Sequence, residues 1–216
     1  LVIKNQKNSD TSNIIKASTT QRGINSIISE YEGICWYNDQ SRNKIKCNLE
    51  KKTKTYCRIK ININKGFFNI NSDMPYIHLK KYLDLCINHY IDIWQNYRKQ
   101  KYAPFHGDLS LVGNVMFNDK DEVLFVDWEQ FDNNFKMPTG LDLMMTIIEN
   151  VWYETLRSNQ INKDVLKHVK YSIQNLNKAQ LLSPLLQEKP AQSSLNYINS
   201  NTEIWKGQHH KLPALK

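Results

Sequence analysis

The chain predicts an α+β fold: a sheet-rich part, then a mainly helical part. Three observations predict it. Short β-branched runs fill the first third, with strict alternation over Tyr56–Asn64. A single apolar stripe at helical spacing runs from His78 to Tyr97. A pair of short apolar strands follows, and the pattern then returns to helix from Leu141.

Leu1–Lys4 and Asn13–Ala17 are β-branched runs separated by a polar Asn/Ser/Asp stretch, which reads as a hairpin. Ile24, Ile27, Ile28, Tyr31, Ile34 and Cys35 keep helical spacing and predict an amphipathic helix. In Tyr56–Asn64, Cys57, Ile59, Ile61 and Ile63 alternate with Arg58, Lys60 and Asn62, the mark of a strand with one buried face. Lys65-Gly66 supplies a turn. Asn71–Pro75 reads as a boundary, with Ser72 or Asp73 as the cap of the next helix. That helix carries Leu79, Tyr82, Leu83, Cys86, Ile87, Tyr90, Ile91 and Trp94 as a core stripe. Asn114–Asn118 and Glu122–Val126 form a predicted hairpin turning at Asp119-Lys120-Asp121. A helix is expected over Leu141–Leu156, and mixed helix and loop from Gln160 onward.

The 216 residues are long enough to bury a core, and 40% hydrophobic with 23% charged residues is a globular composition, not a disordered one. The formal net charge of +8 is attractive to anions. Its cations are scattered along the chain, as at Lys51, Lys52 and Lys54 or Arg98, Lys99 and Lys101, without a basic arm. Nucleic-acid binding is therefore not expected. The cysteines Cys35, Cys47, Cys57 and Cys86 form no CxxC pair and no zinc-ligand spacing. Cys35 and Cys86 fall in apolar periodic segments and are expected to be buried thiols. With no secretory leader in the sequence, a cytoplasmic location is expected. No apolar run approaches the ~20 residues of a membrane span. The sequence does not set the oligomeric state.

The chemistry concentrates between His106 and Glu129. Asp108 lies on a non-helical segment after the long helix, Asn114 starts one hairpin strand, and Asp127 ends its partner. The hairpin brings Asn114 and Asp127 to one end, where two oxygen-bearing side chains suit a hard cation such as Mg²⁺ held together with substrate phosphates. Asp108 would face the same spot and could accept a proton from an attacking hydroxyl. Singly, each is a common turn residue. Three of them flanking two apolar strands point to a site.

His106-Gly107-Asp108 through Asn114, with Asp127-Trp128-Glu129, resembles the catalytic loop and metal-binding segment of the aminoglycoside phosphotransferase and choline kinase family, which shares the protein-kinase-like fold. The resemblance implies Asp108 as catalytic base, Asn114 and Asp127 as Mg²⁺ ligands, and His106 as a brace for the loop. Gly140-Leu141-Asp142-Leu143 resembles the start of the family's next helix, whose Asp supports the loop. The family spaces Asp and Asn five positions apart, whereas Asp108 and Asn114 are six apart. Gly113 is expected to absorb the extra residue through an unusual φ.

On the N-terminal side, Ile14-Ile15-Lys16-Ala17 resembles the strand carrying the ATP-phosphate lysine, Lys16. The stretch Glu30–Trp36 resembles the helix whose glutamate pairs with it, and the spacing of Gly33 and Trp36 favours Glu30 over Glu32. No glycine-rich phosphate loop precedes Lys16, so the first strand and loop are expected upstream of Leu1. Residues 1–72 are then a truncated N-terminal antiparallel-sheet lobe that binds nucleotide. Residues 73–216 are a helical C-terminal lobe that carries catalysis and the acceptor pocket, where Trp152, Tyr153, Tyr197 and Trp205 are either pocket lining or core. His209-His210 reads as solvated. The implied activity is ATP- and Mg²⁺-dependent transfer of the γ-phosphate to a hydroxyl of a small molecule: an amino alcohol, a sugar or an aminoglycoside. The alternative is a catalytically inactive kinase-like binding module.

Overall fold

The structure is a computed structural model, and it describes residues 2–7, 11–71, 73–158, 163–187 and 193. It begins with strands β1 (Val2–Lys7) and β2 (Thr11–Ser18), then helix α1 (Gln21–Gln40), strand β3 (Lys46–Lys52) and strand β4 (Cys57–Asn64). The four strands make an antiparallel sheet in the order β1-β2-β4-β3.

The alternation of β4 decides which face is covered. Cys57, Ile59, Ile61 and Ile63 are buried, while Arg58, Lys60 and Asn62 are half-buried on the other face. Cross-strand partners share a face. The register pairs Ile14 with Ile61 and Lys16 with Ile59, so Lys16 lies on the isoleucine face. Helix α1 covers that face. Thr20 caps it, its Oγ1 accepting from the Gly23 N–H at 3.2 Å. Its buried stripe is Ile24, Ile27, Glu30, Ile34 and Tyr37. Full burial of Ile27 and Ile34 contributes roughly 2 kcal/mol each. Cys35 is exposed, contrary to expectation, because it stands about 100° round the helix from Ile34. Cys86 is buried, as its stripe predicts.

Strand β3 is not evident in the sequence. Every residue of it except the half-buried Cys47 is exposed, so no alternation marks it. It exists by pairing along β4, with a bulge between Leu49 and Lys51.

Next come β5 (Phe68–Asn69), helix α2 (Tyr76–Ile93), β6 (Tyr102–Phe105), β7 (Val115–Phe117), β8 (Val123–Phe125), β9 (Asp132–Pro138), and helices α3 (Leu141–Ser158) and α4 (Lys163–Lys178). Pro75 is the N-cap residue of α2, without a side-chain cap. The Asp73 N–H instead donates to Asn71 Oδ1 at 3.1 Å, so Asp73 is not the cap; Ser72 lies outside the described residues. The α-helix ends at Ile93, and a short 3-10 turn covers Gln95–Tyr97. Strands β7 and β8 form the expected hairpin and extend through β5 to a three-stranded sheet. Strands β6 and β9 pair as a separate ribbon. The ribbon was hidden because Asp132-Asn133-Asn134 and Pro138 read as loop chemistry. The result is a mixed α+β architecture with small antiparallel sheets. Among the described residues no helix is long and apolar enough to cross a membrane.

Candidate functional site

The loop from His106 to Asn114 is built on α3. Asp142, in the first turn of that helix, is buried and accepts two backbone N–H groups: His106 N at 2.9 Å on Oδ2 and Gly107 N at 3.1 Å on Oδ1. Burial pushes its pKa up to about 7, against the pull of those two donors. Gly107 has φ +94°, and a Cβ there would stand 2.4 Å from Gln130 Cβ and 2.6 Å from its carbonyl oxygen. Only glycine fits this position. The buried His106 ring braces the loop. A carbonyl oxygen can only accept, so His106 Nε2 donates to Val126 O at 3.1 Å, and Nδ1 accepts from the Asp108 N–H at 3.4 Å. Burial lowers its pKa to about 4, which keeps the ring neutral. Trp128 packs on it with centroids 4.3 Å apart.

The extra residue between Asp108 and Asn114 is taken up by a helical turn. The Asn114 N–H donates to Ser110 O, four residues back, at 2.9 Å. Gly113 does not take a left-handed conformation, and the nearest atom to a Cβ there would be 3.7 Å away. The expected glycine adjustment is therefore not the device used. The turn leaves Asn114 Nδ2 donating to the main-chain oxygen of Asp108 at 2.5 Å.

The hairpin then joins its two ends, the Val126 N–H donating to Asn114 O at 2.9 Å. Asp127 follows with φ +63°, a left-handed conformation that Asp adopts more readily than most residues. It turns the carboxylate toward β2. Lys16 Nζ stands 2.5 Å from Asp127 Oδ1 and 2.7 Å from Glu30 Oε2. Burial works against the ammonium, but the two carboxylates hold its pKa above the ordinary lysine value. Glu30 is raised to about 7, first by burial, despite Lys16 and with Asp127 adding repulsion. Burial also disfavours the charged Asp127, yet Lys16 holds its pKa below the usual range. Asp127 thus remains an anion, and its side chain is 39% exposed. Glu32, the other glutamate of the motif, is exposed.

Glu30 reaches Lys16 because α1 comes unusually close to the segment after β8. A Cβ on Gly33 would meet Trp128 Cβ at 2.6 Å and Phe131 Cβ at 2.9 Å. That contact sets the height of Glu30 over the sheet.

Lys16, Glu30, Asn114 and Asp127 line one cavity of about 490 Å³ between the β2–β4 face, α1 and the β7–β8 hairpin. Such a volume suits a small organic ligand. Much of the remaining wall is apolar, with Ile14, Ile61, Ile63, Phe67, Met116 and Val126, and Ser12, Asn64 and Asn69 add polar groups to it. Asp108 is not part of the lining. It is half-buried on the adjoining loop, linked to the cavity through Asn114. Glu129 also lines the cavity, accepting from Ser26 Oγ at 3.1 Å. The sequence assigned it no role, although its two-residue spacing from Asp127 was a signal. Trp152 and Tyr153 lie in α3 with side chains outside the described residues, as do Tyr197, Trp205, His209 and His210 altogether.

Chemically the cavity combines a largely apolar wall with a fixed ammonium, a part-exposed carboxylate and an amide. Among the described residues no group of three or more His, Cys, Asp or Glu side chains gathers as a metal site. A cation at Asp127 and Asn114 would take its remaining ligands from phosphate and water, as Mg²⁺ does with nucleotides. The donor set fits that ion. No protein-family model matches the chain, and no curated protein matches it.

Proposed function

We propose that this chain is an ATP-dependent phosphotransferase of protein-kinase-like fold, moving a γ-phosphate to the hydroxyl of a small molecule. The carrying observation is the Lys16 ammonium, shared by Glu30 and Asp127 in a largely apolar-walled cavity. In this reading residues 1–72 bind nucleotide, and residues 73–216 carry the catalytic loop and the acceptor site. A base lies between the isoleucines and Met116. Lys16 meets the α- and β-phosphates, and Glu30 keeps it in place. Asp127 and Asn114 would hold Mg²⁺, which supplies charge neutralisation for the transferring phosphoryl group. Asp108 takes the acceptor's proton, and His106 and Asp142 hold its loop. The hydroxyl acceptor is an amino alcohol, a sugar or an aminoglycoside, the classes implied by the resemblance of the 106–129 segment.

The experiment is transfer of labelled phosphate from ATP across an acceptor panel, with Asp108→Ala and Ser110→Ala. Loss in the first and retention in the second is expected, because Ser110 Oγ is occupied with Glu149 Oε1 at 3.0 Å. Full transfer by Asp108→Ala would sink the proposal.

A second reading is a kinase-like binding module without turnover. The position of Asp108 outside the cavity lining favours it. Stabilisation by ATP with Mg²⁺ but no transfer to any acceptor would select it.

A further inference from the structure

The cations that look scattered in the sequence are gathered by the sheet. Between Lys44 and Lys60 the chain carries Lys44, Lys46, Lys51, Lys52, Lys54, Arg58 and Lys60 against one carboxylate, Glu50. Seven less one is +6, so this segment holds most of the chain's +8. Glu50 is itself neutralised, with Arg58 Nε at 2.6 Å from Oε2.

The register sorts these charges. Lys46 pairs with Asn62, Asn48 with Lys60, and Lys51 with Arg58. Cross-strand partners share a face, so Lys46, Lys51, Arg58 and Lys60 stand opposite Ile59, Ile61 and Ile63. Helix α1 packs on the isoleucine side. Lys46 and Lys51 are exposed, and Lys54 extends the charge into the hairpin turn, whereas Lys52, paired with Cys57, stands on the other face. Seven residues of β3 span ~23 Å at the strand rise. Apart from Glu50, which Arg58 neutralises, the charged side chains of this β3–β4 face are cations.

We propose that this outer β3–β4 face docks the protein on an anionic lipid surface, an interaction beyond the phosphotransfer reading. Charge complementarity selects an anion. Two features select a membrane over a nucleic acid. Six of the seven cations are lysines, compact charges on flexible stems, without the arginine forks that read bases and grip single phosphates. Tyr56 is the only aromatic side chain in the segment and lies under Lys51, with Nζ 5.7 Å from its ring centroid, so no stacking platform is offered.

The test is co-sedimentation of the full chain with vesicles of phosphatidylcholine, with and without phosphatidylserine. Binding is expected only with phosphatidylserine, falling as salt is raised. Each face lysine is worth about fivefold in partitioning, so Lys46→Ser/Lys51→Ser/Lys60→Ser should weaken binding about 100-fold, and Lys51→Ser alone about fivefold. The same charge removed from α4, as Lys163→Ser/Lys170→Ser/Lys178→Ser, should change it by less than about threefold. Thermal unfolding checks that each variant is folded, and the single variant stands if the triple is not. Equal binding to neutral vesicles, or equal loss from the α4 triple, would overturn the proposal. So would tighter binding to a duplex oligonucleotide at the same salt, abolished by the β-face triple.

Discussion

Lys16 and Asp127 lie 111 positions apart in the chain and meet at 2.5 Å. The contact ties the first sheet to the end of the β7–β8 hairpin, and Glu30 completes it from α1. Three elements thus converge on one ammonium that is almost wholly buried. Removing a partner from such a group is costly, because the charge left behind is neither solvated nor paired.

Lys16→Met should therefore destabilise the protein by about 3 kcal/mol, read from urea unfolding, by stranding Glu30. Lys16→Met/Glu30→Gln should recover more than half of that loss, since the orphaned carboxylate is gone. Neither variant should be stabilised by ATP with Mg²⁺. A Lys16→Met protein as stable as the wild type would show the ion pair to be energetically idle.

Asp142→Asn keeps one acceptor oxygen and turns an amide N–H toward one of the two backbone donors, which should cost about 2 kcal/mol. The pH dependence has a definite sign. Burial lifts the Asp142 pKa to about 7, above its unfolded value, so the folded chain holds this proton more tightly. From about pH 4 to pH 7 the group makes stability fall as pH rises. The asparagine variant lacks that slope. The wild-type advantage should be widest near pH 4 and narrow toward pH 7 in urea midpoints, and a gap that widens with pH would contradict the assignment.

Two glycines, each three residues from Ser110 in the middle of the loop, should behave oppositely. Gly107→Ala introduces a Cβ 2.4 Å from Gln130 at a positive φ, and should cost about 3 kcal/mol and impair whatever the loop does. Gly113→Ala meets nothing closer than 3.7 Å at an ordinary φ, and should be neutral or stabilising by about 0.5 kcal/mol. Thermal unfolding distinguishes them directly.

Gly33→Val tests the height of α1. Its side chain would enter the space of Trp128 and Phe131, pushing the helix and Glu30 away from Lys16. Expected outcomes are a loss of about 2 kcal/mol in stability and weaker nucleotide stabilisation in thermal-shift measurements. Unchanged stability and nucleotide response would mean that helix height is not set at this contact.

Much of this architecture was written locally. The alternating isoleucines of β4, the stripe of α2 and the hairpin around Asp119–Asp121 each follow from a period that one segment carries by itself. The type and order of the main elements, and the cluster of Asp108, Asn114 and Asp127 in one stretch of chain, were determined by sequence alone. Other features depend on partners distant in the chain, and only the tertiary structure decided them. Strand β3 has no periodicity and exists because β4 offers it a ladder. Cys35 is exposed because the core touches α1 one residue away, at Ile34. The six-residue spacing is absorbed by a backbone turn at Ser110–Asn114, a choice no side chain announces. The cations of β3 and β4 become one surface only when antiparallel register places their alternate residues on a common face. Local periodicity is a property of a segment, whereas proximity is a property of the folded chain, and charge and packing act through proximity.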